Sequence, residues 1–478
     1  MTPGEHMVDE QFKRDVNSFV DEVWEDVVAD IDRLVRHESV EDLSAAEPGK
    51  PWGPASWGAL DEAEKIAQRL GLDVTDVDGY LGFADVPGTS GPDRYVATIA
   101  HTDIVPLGLG WNFPALEVTR KDGYLVGRGV QDDKGPFVLS LYAAHFFQRL
   151  VDAGHELPYT LRCIIGNNEE TGMGDVPYYL ERYPEPLFCF SPDADFPLIC
   201  GEKGLYQGRF TSGPVAGEKI VELDGGTVPN AICGQATAVV RADAATLPAA
   251  ERIAVEPAEE GLARVTATGI GGHASMPEGT VNAIGVLARY LLAQDLAGEG
   301  ERSFLELLVT LTEDAYGKAS GIAAEDNKFG ALTCVAGVIR TVDGRFTQTV
   351  DSRYPTTTTD EAITARLCEL ARAHSCTYEQ TSSDAPFYIS PESPEIEALL
   401  KTYSEYTGQE AQAFTIGGGT YARHFKRACA FGPHDPAEQM PEWAGMEHGP
   451  DEAISEESLR RALKIYIVSI ARLMELEL

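Results

Sequence analysis

Runs of apolar residues alternate with amphipathic helical patterns through the first part of this 478-residue chain. The spacing predicts helices over 12–36 and 137–150 and buried strands over 95–104, 161–166 and 187–191. Strands that are separated by helices usually pair in parallel, and helices then cover both faces of their sheet. We therefore expect an α/β fold that is built on a mainly parallel sheet.

The alternation stops in the middle of the chain and returns towards its end. In between, short strands are mixed with helices, and Asp343-Gly344 between two apolar runs is a strong hairpin-turn signal. The simplest layout is a discontinuous domain of residues 1–206 and 384–478. An inserted α+β domain of residues 207–383 interrupts it.

Composition excludes several classes of protein. With 38 basic and 76 acidic side chains the net charge is −38, which repels nucleic acid and anionic membrane surfaces. No stretch offers the ~20 apolar residues of a membrane span, and the first fifteen residues lack the apolar core of an export signal. The eight cysteines are scattered without a CxxC motif, so we expect a cytoplasmic protein with reduced thiols.

Four polar clusters lie at or just beyond the ends of predicted buried strands. The carboxyl ends of parallel strands open into one crevice, and neighbouring carboxylates repel each other unless protons or cations intervene. Histidine with several carboxylates suits one or two divalent metals, with zinc favoured and cobalt or manganese as alternatives. The clusters contain His101 and Asp103, Asp132 and Asp133, Glu169 and Glu170, and Asp193 and Asp195.

Five motifs occur in a characteristic order, namely HTDIVPLGLGW, GRGVQDDKGP, NNEETG, SPDADFP and GGHASMPEG. Together they resemble the co-catalytic dizinc metallopeptidase family of carnosinase and carboxypeptidase G, and within it most closely the bacterial dipeptidase V type. The resemblance covers nearly the whole chain. It implies a zinc-peptidase-like catalytic domain and an inserted domain that acts as a lid.

The resemblance also implies two zinc ions in each subunit. His101 and Asp193 correspond to ligands of the first ion, and Glu170 corresponds to a ligand of the second. Asp132 corresponds to the carboxylate that bridges the two ions.

The second ion needs a histidine from the C-terminal part of the chain. His448 is favoured because the family ligand comes just before the closing helix, and His434 is the alternative. His424 is expected to be a surface residue beside the glycine-rich loop.

Two further acids have implied roles that differ from metal ligation. Glu169 corresponds to the general base, which takes a proton from a metal-bridged water and delivers it to the leaving amine. Asp103 corresponds to the carboxylate that orients His101.

Substrate contacts are implied at five positions. His273 corresponds to a histidine that reaches the substrate carbonyl, and Arg353 to an arginine that binds the substrate carboxylate with its planar, permanently charged fork. Gly418, Gly419 and Thr420 correspond to a loop that cradles the same carboxylate.

The chain departs from the dipeptidase V pattern at one position. An asparagine of that type is replaced by Gly226, and the nearest asparagine, Asn230, comes four residues later. The long inserted domain resembles that of family members that work as monomers, so we expect a monomer.

These features predict a metal-dependent dipeptidase of broad specificity that acts on short peptides. An N-acyl-amino-acid deacylase or a carboxypeptidase is the alternative within the hydrolases. A catalytically silent peptide-binding relative is the alternative outside them.

Overall fold

The computed structural model describes residues 7–478 of the chain. The first six residues, on which part of the expectation about export rests, lie outside the described residues. The chain divides into two compact units. Of the described residues, the first contains 7–200 together with 388–414 and 420–478, and the second contains 201–387 and 415–419.

Helices are found at both ends of the chain and within the second unit. None of those described is both long and apolar enough to cross a membrane. They are α1 Glu10–Val35, α2 Pro54–Arg69, α3 Lys134–Asp152, α4 Asp175–Leu180, α5 Ala283–Ala293, α6 Glu299–Leu311, α7 Asp360–Ala373, α8 Pro394–Thr407 and α9 Glu456–Met474, with short 3₁₀ helices at Leu43–Ala45, Ala244–Thr246 and Tyr421–His424.

The longest strands, of nine or ten residues, lie in the second unit. In chain order they are β1 Asp73–Val77, β2 Leu81–Val86, β3 Tyr95–His101, β4 Thr119–Lys121, β5 Tyr124–Val126, β6 Thr160–Gly166, β7 Phe188–Ser191, β8 Ala194–Asp195, β9 Ile199–Glu202, β10 Gly204–Ser212, β11 Ile220–Gly225, β12 Ala231–Ile232, β13 Gln235–Val240, β14 Ile253–Pro257, β15 Ala263–Thr268, β16 Gly272–His273, β17 Glu325–Asp326, β18 Gly330–Ala331, β19 Thr333–Val342, β20 Arg345–Tyr354, β21 Cys376–Asp384, β22 Phe387–Tyr388, β23 Phe414–Ile416, β24 Ala428–Ala430, β25 Pro433–His434 and β26 Ala453–Ser455.

The main sheet of the first unit runs in the order β1-β2-β6-β3-β7-β24-β9. Its centre is parallel, since β3 pairs in parallel with both β6 and β7, and β24 pairs in parallel with β7. The outer strands β1, β2 and β9 pair antiparallel with their neighbours. The predicted α/β class is therefore confirmed, and the sheet is parallel only in its central part.

Every residue of β3 and β6 is buried, as expected for strands that are covered on both faces. Helix α1 begins after Asp9, whose carboxylate accepts a hydrogen bond from the backbone N–H of Phe12 at 2.7 Å. Its apolar face is buried over the full length of the helix and includes Val16, Val20, Val27, Ile31 and Leu34. Burial of this face provides the main stabilisation of the helix.

The second unit contains an antiparallel sheet in the order β14-β15-β13-β11-β19-β20-β10-β21. Strands β19 and β20 form the predicted hairpin. Asp343 and Gly344 at its turn both have positive φ, 48° and 71°, as a two-residue turn of this kind requires. Alternate residues of β10 are buried, and together with apolar residues of α5, α6 and α7 they form the core of this unit.

One buried carboxyl predicts a pH dependence of stability. Burial, with the nearby Asp76 and Asp61 carboxylates, raises the pKa of Glu64 in α2 from 4.5 to about 7. The folded state thus binds this proton more tightly than the unfolded state. The stability that the proton contributes is fully present below pH 4.5 and is lost as the pH rises through about 7.

Glu64→Gln should therefore raise the free energy of unfolding relative to wild type at pH 8 and much less at pH 5. We expect the free energy of unfolding to rise by about 1 kcal/mol at pH 8. This value is lower than full burial would give, because solvent screens the partly exposed Glu64. Urea unfolding at the two pH values measures it, with the exposed Glu156→Gln as control. An equal effect of Glu64→Gln at both pH values would contradict the assignment.

Candidate metal centre

Three neighbouring parallel strands of the first unit end at the same edge of the sheet. His101 is the last residue of β3 and lies opposite Gly166, the last residue of β6. Glu169 and Glu170 follow β6, and Asp193 follows β7. The register of the strands therefore brings the predicted polar clusters together.

Asp132 lies between two imidazoles. Its Oδ1 is 3.0 Å from His101 Nε2, and its Oδ2 is 2.8 Å from His448 Nε2. The same nitrogen of His101 lies 3.6 Å from Asp193 Oδ2, and that of His448 lies 3.2 Å from Glu170 Oε2. Each histidine thus faces one oxygen of Asp132 and one further carboxylate.

This set of donors fits divalent metal ions. Ligand atoms of His101, Asp132 and Glu170 all lie within 4.8 Å of one another, and so do those of His101, Asp133 and Asp193. Imidazole nitrogen and carboxylate oxygen are the donors that zinc takes at catalytic sites. A carboxylate that presents its two oxygens in two directions is suited to bridge a pair of ions.

Burial and mutual repulsion disturb the carboxyl groups of this site. Burial, and then the charge of Asp132, raises the pKa of Glu170 to about 7 and also raises that of Asp193. Burial likewise raises the pKa of Glu169, and the neighbouring carboxylates add to the effect. Contacts with Asp132 and Glu170 raise the pKa of His448 to about 11. The site therefore concentrates negative charge that cations would stabilise.

Asp103 approaches His101 more closely with its backbone carbonyl oxygen than with the carboxylate that the resemblance implies. The Nδ1 of His101 is 3.0 Å from the backbone carbonyl oxygen of Asp103 and 3.4 Å from its carboxylate. That carboxylate accepts hydrogen bonds from the backbone N–H groups of Glu169 at 3.2 Å and Glu170 at 3.1 Å. Asp103 thus contacts both the histidine and the segment that carries the two glutamates.

Asp133, a member of the second polar cluster in the sequence, is fully buried next to His101. Its Oδ2 accepts a hydrogen bond of 2.9 Å from the backbone N–H of His101. Only the double acid of the motif indicates this residue, and the resemblance implies a role for Asp132 but none for Asp133.

A second buried carboxylate fixes the start of the loop that follows β6. Asp175 accepts hydrogen bonds from the backbone N–H of Asn167 at 2.8 Å and from the hydroxyl of Tyr421 at 2.6 Å. The same hydroxyl accepts a bond of 3.2 Å from the N–H of Asn168. Sequence reasoning missed both side chains. The only indication is that Tyr421 directly follows the glycine-rich loop.

The alternative histidine, His434, does not face Asp132. Its Nδ1 lies 2.5 Å from Asp195 Oδ1, and contact with that carboxylate raises the pKa of the imidazole. His424, expected at the surface, is partly buried at the end of the 3₁₀ helix Tyr421–His424.

In the second unit, a carboxylate holds the guanidinium of Arg353. Arg353 donates from Nε and Nη2 to the two oxygens of Asp351, at 2.8 and 3.1 Å, and from Nη1 to the carbonyl of Gly417 at 3.3 Å. His273 has an exposed side chain, and its Nδ1 lies 2.7 Å from the hydroxyl of Ser275.

Among the glycines of this loop, Gly417 is the one that the packing requires to be glycine. A Cβ on Gly417 would lie 2.6 Å from the Cβ of Ser275, whereas a Cβ on Gly418 would make only an ordinary contact of 3.5 Å with Ile416. Gly419 follows, and the hydroxyl of Thr420 accepts a hydrogen bond of 3.1 Å from the N–H of Ala422. Of the three predicted loop residues, Thr420 belongs to the first unit, and the two glycines belong to the second.

Local packing in the second unit favours glycine at position 226, where the resemblance implies an asparagine. Its φ is +74°, and a Cβ there would lie 2.0 Å from the carbonyl oxygen of Gly337. Its own carbonyl accepts a hydrogen bond of 2.7 Å from Arg340. An asparagine side chain would therefore require the backbone to shift.

Comparison with known proteins identifies the class of this chain. The model of peptidase family M20/M25/M40 matches residues 97–472, and the chain therefore belongs to this family of peptidases.

One similar relative is the Beta-Ala-Xaa dipeptidase of Lactobacillus delbrueckii subsp. lactis, 29% identical over 469 residues, which cover 94% of this chain and 96% of the relative. Among solved structures, human carnosine dipeptidase 1 has a TM-score of 0.61 at 15% identity, covering 97% and 99% of the two chains. The di-peptidase Dug1p of Saccharomyces cerevisiae has a TM-score of 0.57 at 12% identity, covering 98% and 99%.

The two candidate histidines can be separated by metal analysis. His448→Ala removes the imidazole that faces Asp132 and Glu170, so we expect the variant to retain one metal ion fewer than wild type. His434→Ala, the matched control, should retain as many ions as wild type. Elemental analysis after dialysis against limiting zinc measures the ratio of metal to protein. Loss of an ion from His434→Ala alone would reverse the assignment.

Proposed function

We propose that this chain is a dizinc dipeptidase that hydrolyses short peptides with a free amino end and a free carboxylate. The observation that carries the proposal is the position of Asp132, with one oxygen towards His101 and the other towards His448. Membership of a peptidase family and the similarity to the Lactobacillus dipeptidase support it.

Each residue of the proposed centre has a distinct role. His101, Asp132 and Asp193 would hold one ion, and Asp132, Glu170 and His448 the other. When bound, the ions would supply Lewis acidity towards the attacking water and the peptide carbonyl.

Glu169 performs the proton transfers in this proposal. Its carboxylate takes the proton of the attacking water and then protonates the leaving amine. Burial and the surrounding carboxylates raise its pKa, which suits a group that must hold this proton between the two steps. Asp103 acts on Glu169 through the backbone, since it fixes the N–H of that residue.

Residues outside the proposed metal centre would supply recognition of the substrate. Arg353 would bind the C-terminal carboxylate of the peptide, because Asp351 fixes the plane of its guanidinium in advance. Gly418, Gly419 and Thr420 would line the same subsite, and His273 would reach the carbonyl of the scissile bond. A fixed planar fork binds a carboxylate at a smaller entropic cost than a mobile side chain.

We further propose that the enzyme is a monomer of the cytoplasm. The expectation of a monomer rests on the length of the inserted domain. The cytoplasmic assignment is supported by the eight cysteines, all of which are free thiols and six of which are buried. Sedimentation of a stable dimer would contradict the first statement.

A substrate panel tests the proposed activity. The zinc-loaded enzyme should hydrolyse dipeptides, tripeptides much more slowly, and N-acetyl or N-succinyl amino acids hardly at all. Glu169→Gln should lower turnover about 100-fold or more while keeping both metal ions.

Hydrolysis confined to the N-acyl compounds would replace the dipeptidase proposal by a deacylase. If Glu169→Gln keeps full turnover with both metal ions bound, Glu169 is not the general base. A protein that binds dipeptides equally well with and without zinc, and cleaves none, would be a silent relative.

Arg353→Lys should raise KM about tenfold and change kcat less. The substitution keeps a positive charge beside Asp351 but loses the two-pronged geometry that a carboxylate needs. Steady-state kinetics on one dipeptide measures both constants. The control is Arg209→Lys, at an exposed arginine of the same unit paired with Glu379. An unchanged KM for Arg353→Lys would exclude carboxylate binding at this position.

A further inference from the structure

A fully buried ion pair lies beside the proposed metal centre and is not explained by ligation. Glu452 and Arg128 are both almost inaccessible to solvent, and Arg128 Nη1 donates to Glu452 Oε2 at 2.6 Å. Neither side chain belongs to the groups of metal donors within the described residues.

Glu452 holds the loop that carries the bridging carboxylate. Its Oε1 accepts hydrogen bonds from the backbone N–H groups of Gly129 at 3.0 Å, Gln131 at 2.9 Å and Asp132 at 3.2 Å. Its own carbonyl accepts a bond of 3.0 Å from the N–H of Gly127. One side chain thus fixes the backbone of Asp132 and of the residues leading to it.

Arg128 extends this contact to His448. While Nη1 is paired with Glu452, Nη2 donates to the carbonyl oxygen of His448 at 3.1 Å. The backbone of His448 has φ of +61°, a conformation that costs energy for a non-glycine residue and needs support from its surroundings. The guanidinium supplies such support directly at that residue.

We propose that the Arg128–Glu452 pair is a positioning device that sets the distance between Asp132 and His448 and thereby the affinity for the second metal ion. The inference rests on the proposed dizinc function and adds two residues that touch neither metal nor substrate. Groups that orient metal ligands in this way typically contribute 10- to 100-fold in affinity.

The test measures zinc binding to the metal-free protein by calorimetry. Arg128→Met and Glu452→Gln should each bind the first zinc ion as wild type does and the second about 10- to 100-fold more weakly. Unchanged affinity for both ions in folded variants would overturn the proposal.

Glu301→Gln is the matched control. Glu301 in α6 of the second unit is equally buried, and its carboxylate also accepts bonds from three backbone N–H groups, those of Lys219, Ile220 and Gly298. We expect a lower melting temperature but unchanged binding of two zinc ions. Loss of the second ion from this variant as well would mean that destabilisation alone weakens the site, and the proposal would fail.

The double variant Arg128→Met/Glu452→Gln separates positioning from stability. Each single substitution leaves a buried charge or donor without its partner, whereas the double variant removes both charges and should recover part of the lost stability. It still lacks the donor to the His448 carbonyl, so the second zinc ion should remain weakly bound. If the double variant regains its affinity for the second zinc ion together with its stability, the pair only stabilises the fold, and the proposal fails.

The outcome is independent of peptide hydrolysis. If wild type binds two zinc ions but cleaves no dipeptide, the proposed function fails, and the effect of the pair on the second ion still decides the inference. If wild type binds only one zinc ion, the inference itself is wrong.

Discussion

Parallel pairing of β6, β3 and β7 is the constraint on which the rest of the first unit depends. The pairing of His101 with Gly166 fixes where the two strands end, so the residues that follow them emerge side by side. Side chains from distant parts of the sequence can then converge without any single loop having to carry the whole site. The carboxyl ends of parallel strands are the usual position of sites in α/β folds for this reason.

Acidic side chains at this edge serve two different purposes. Asp132, Glu170 and Asp193 face imidazole nitrogens, where a cation can balance their charge. Asp103 and Glu452 instead accept hydrogen bonds from backbone N–H groups of the loops that carry those ligands. A buried carboxylate needs either a cation or several donors, and the loops supply the donors. The same residue type therefore both forms the site and makes it rigid.

The sequence pattern could bring His101, Glu170 and Asp193 to one edge of the sheet because they lie at or shortly after the ends of strands with clear apolar runs. It missed β1, whose sequence DVTDV has neither an apolar run nor alternating burial. The strand pattern alone also could not separate ligands from supporting carboxylates, and the resemblance did so for Asp103 but gave no role to Glu452. Glu452 reaches the backbone of Asp132 across 320 positions of sequence, and no local pattern records such a contact. Likewise Gly417, rather than Gly418, is required by its approach to Ser275, which only the tertiary packing reveals.

The net charge of −38 poses a problem for an enzyme whose proposed substrate carries a carboxylate. At physiological ionic strength charges separated by more than about 8 Å are largely screened, so recognition depends on groups in direct contact with the substrate. Arg353 is itself paired with Asp351, and the pair together is neutral. Its value for binding therefore comes from the remaining N–H donors, held in a fixed plane, rather than from a surplus of positive charge. A precisely oriented group that is neutral as a pair can recognise a carboxylate within a strongly acidic protein through the donors that the pair leaves available.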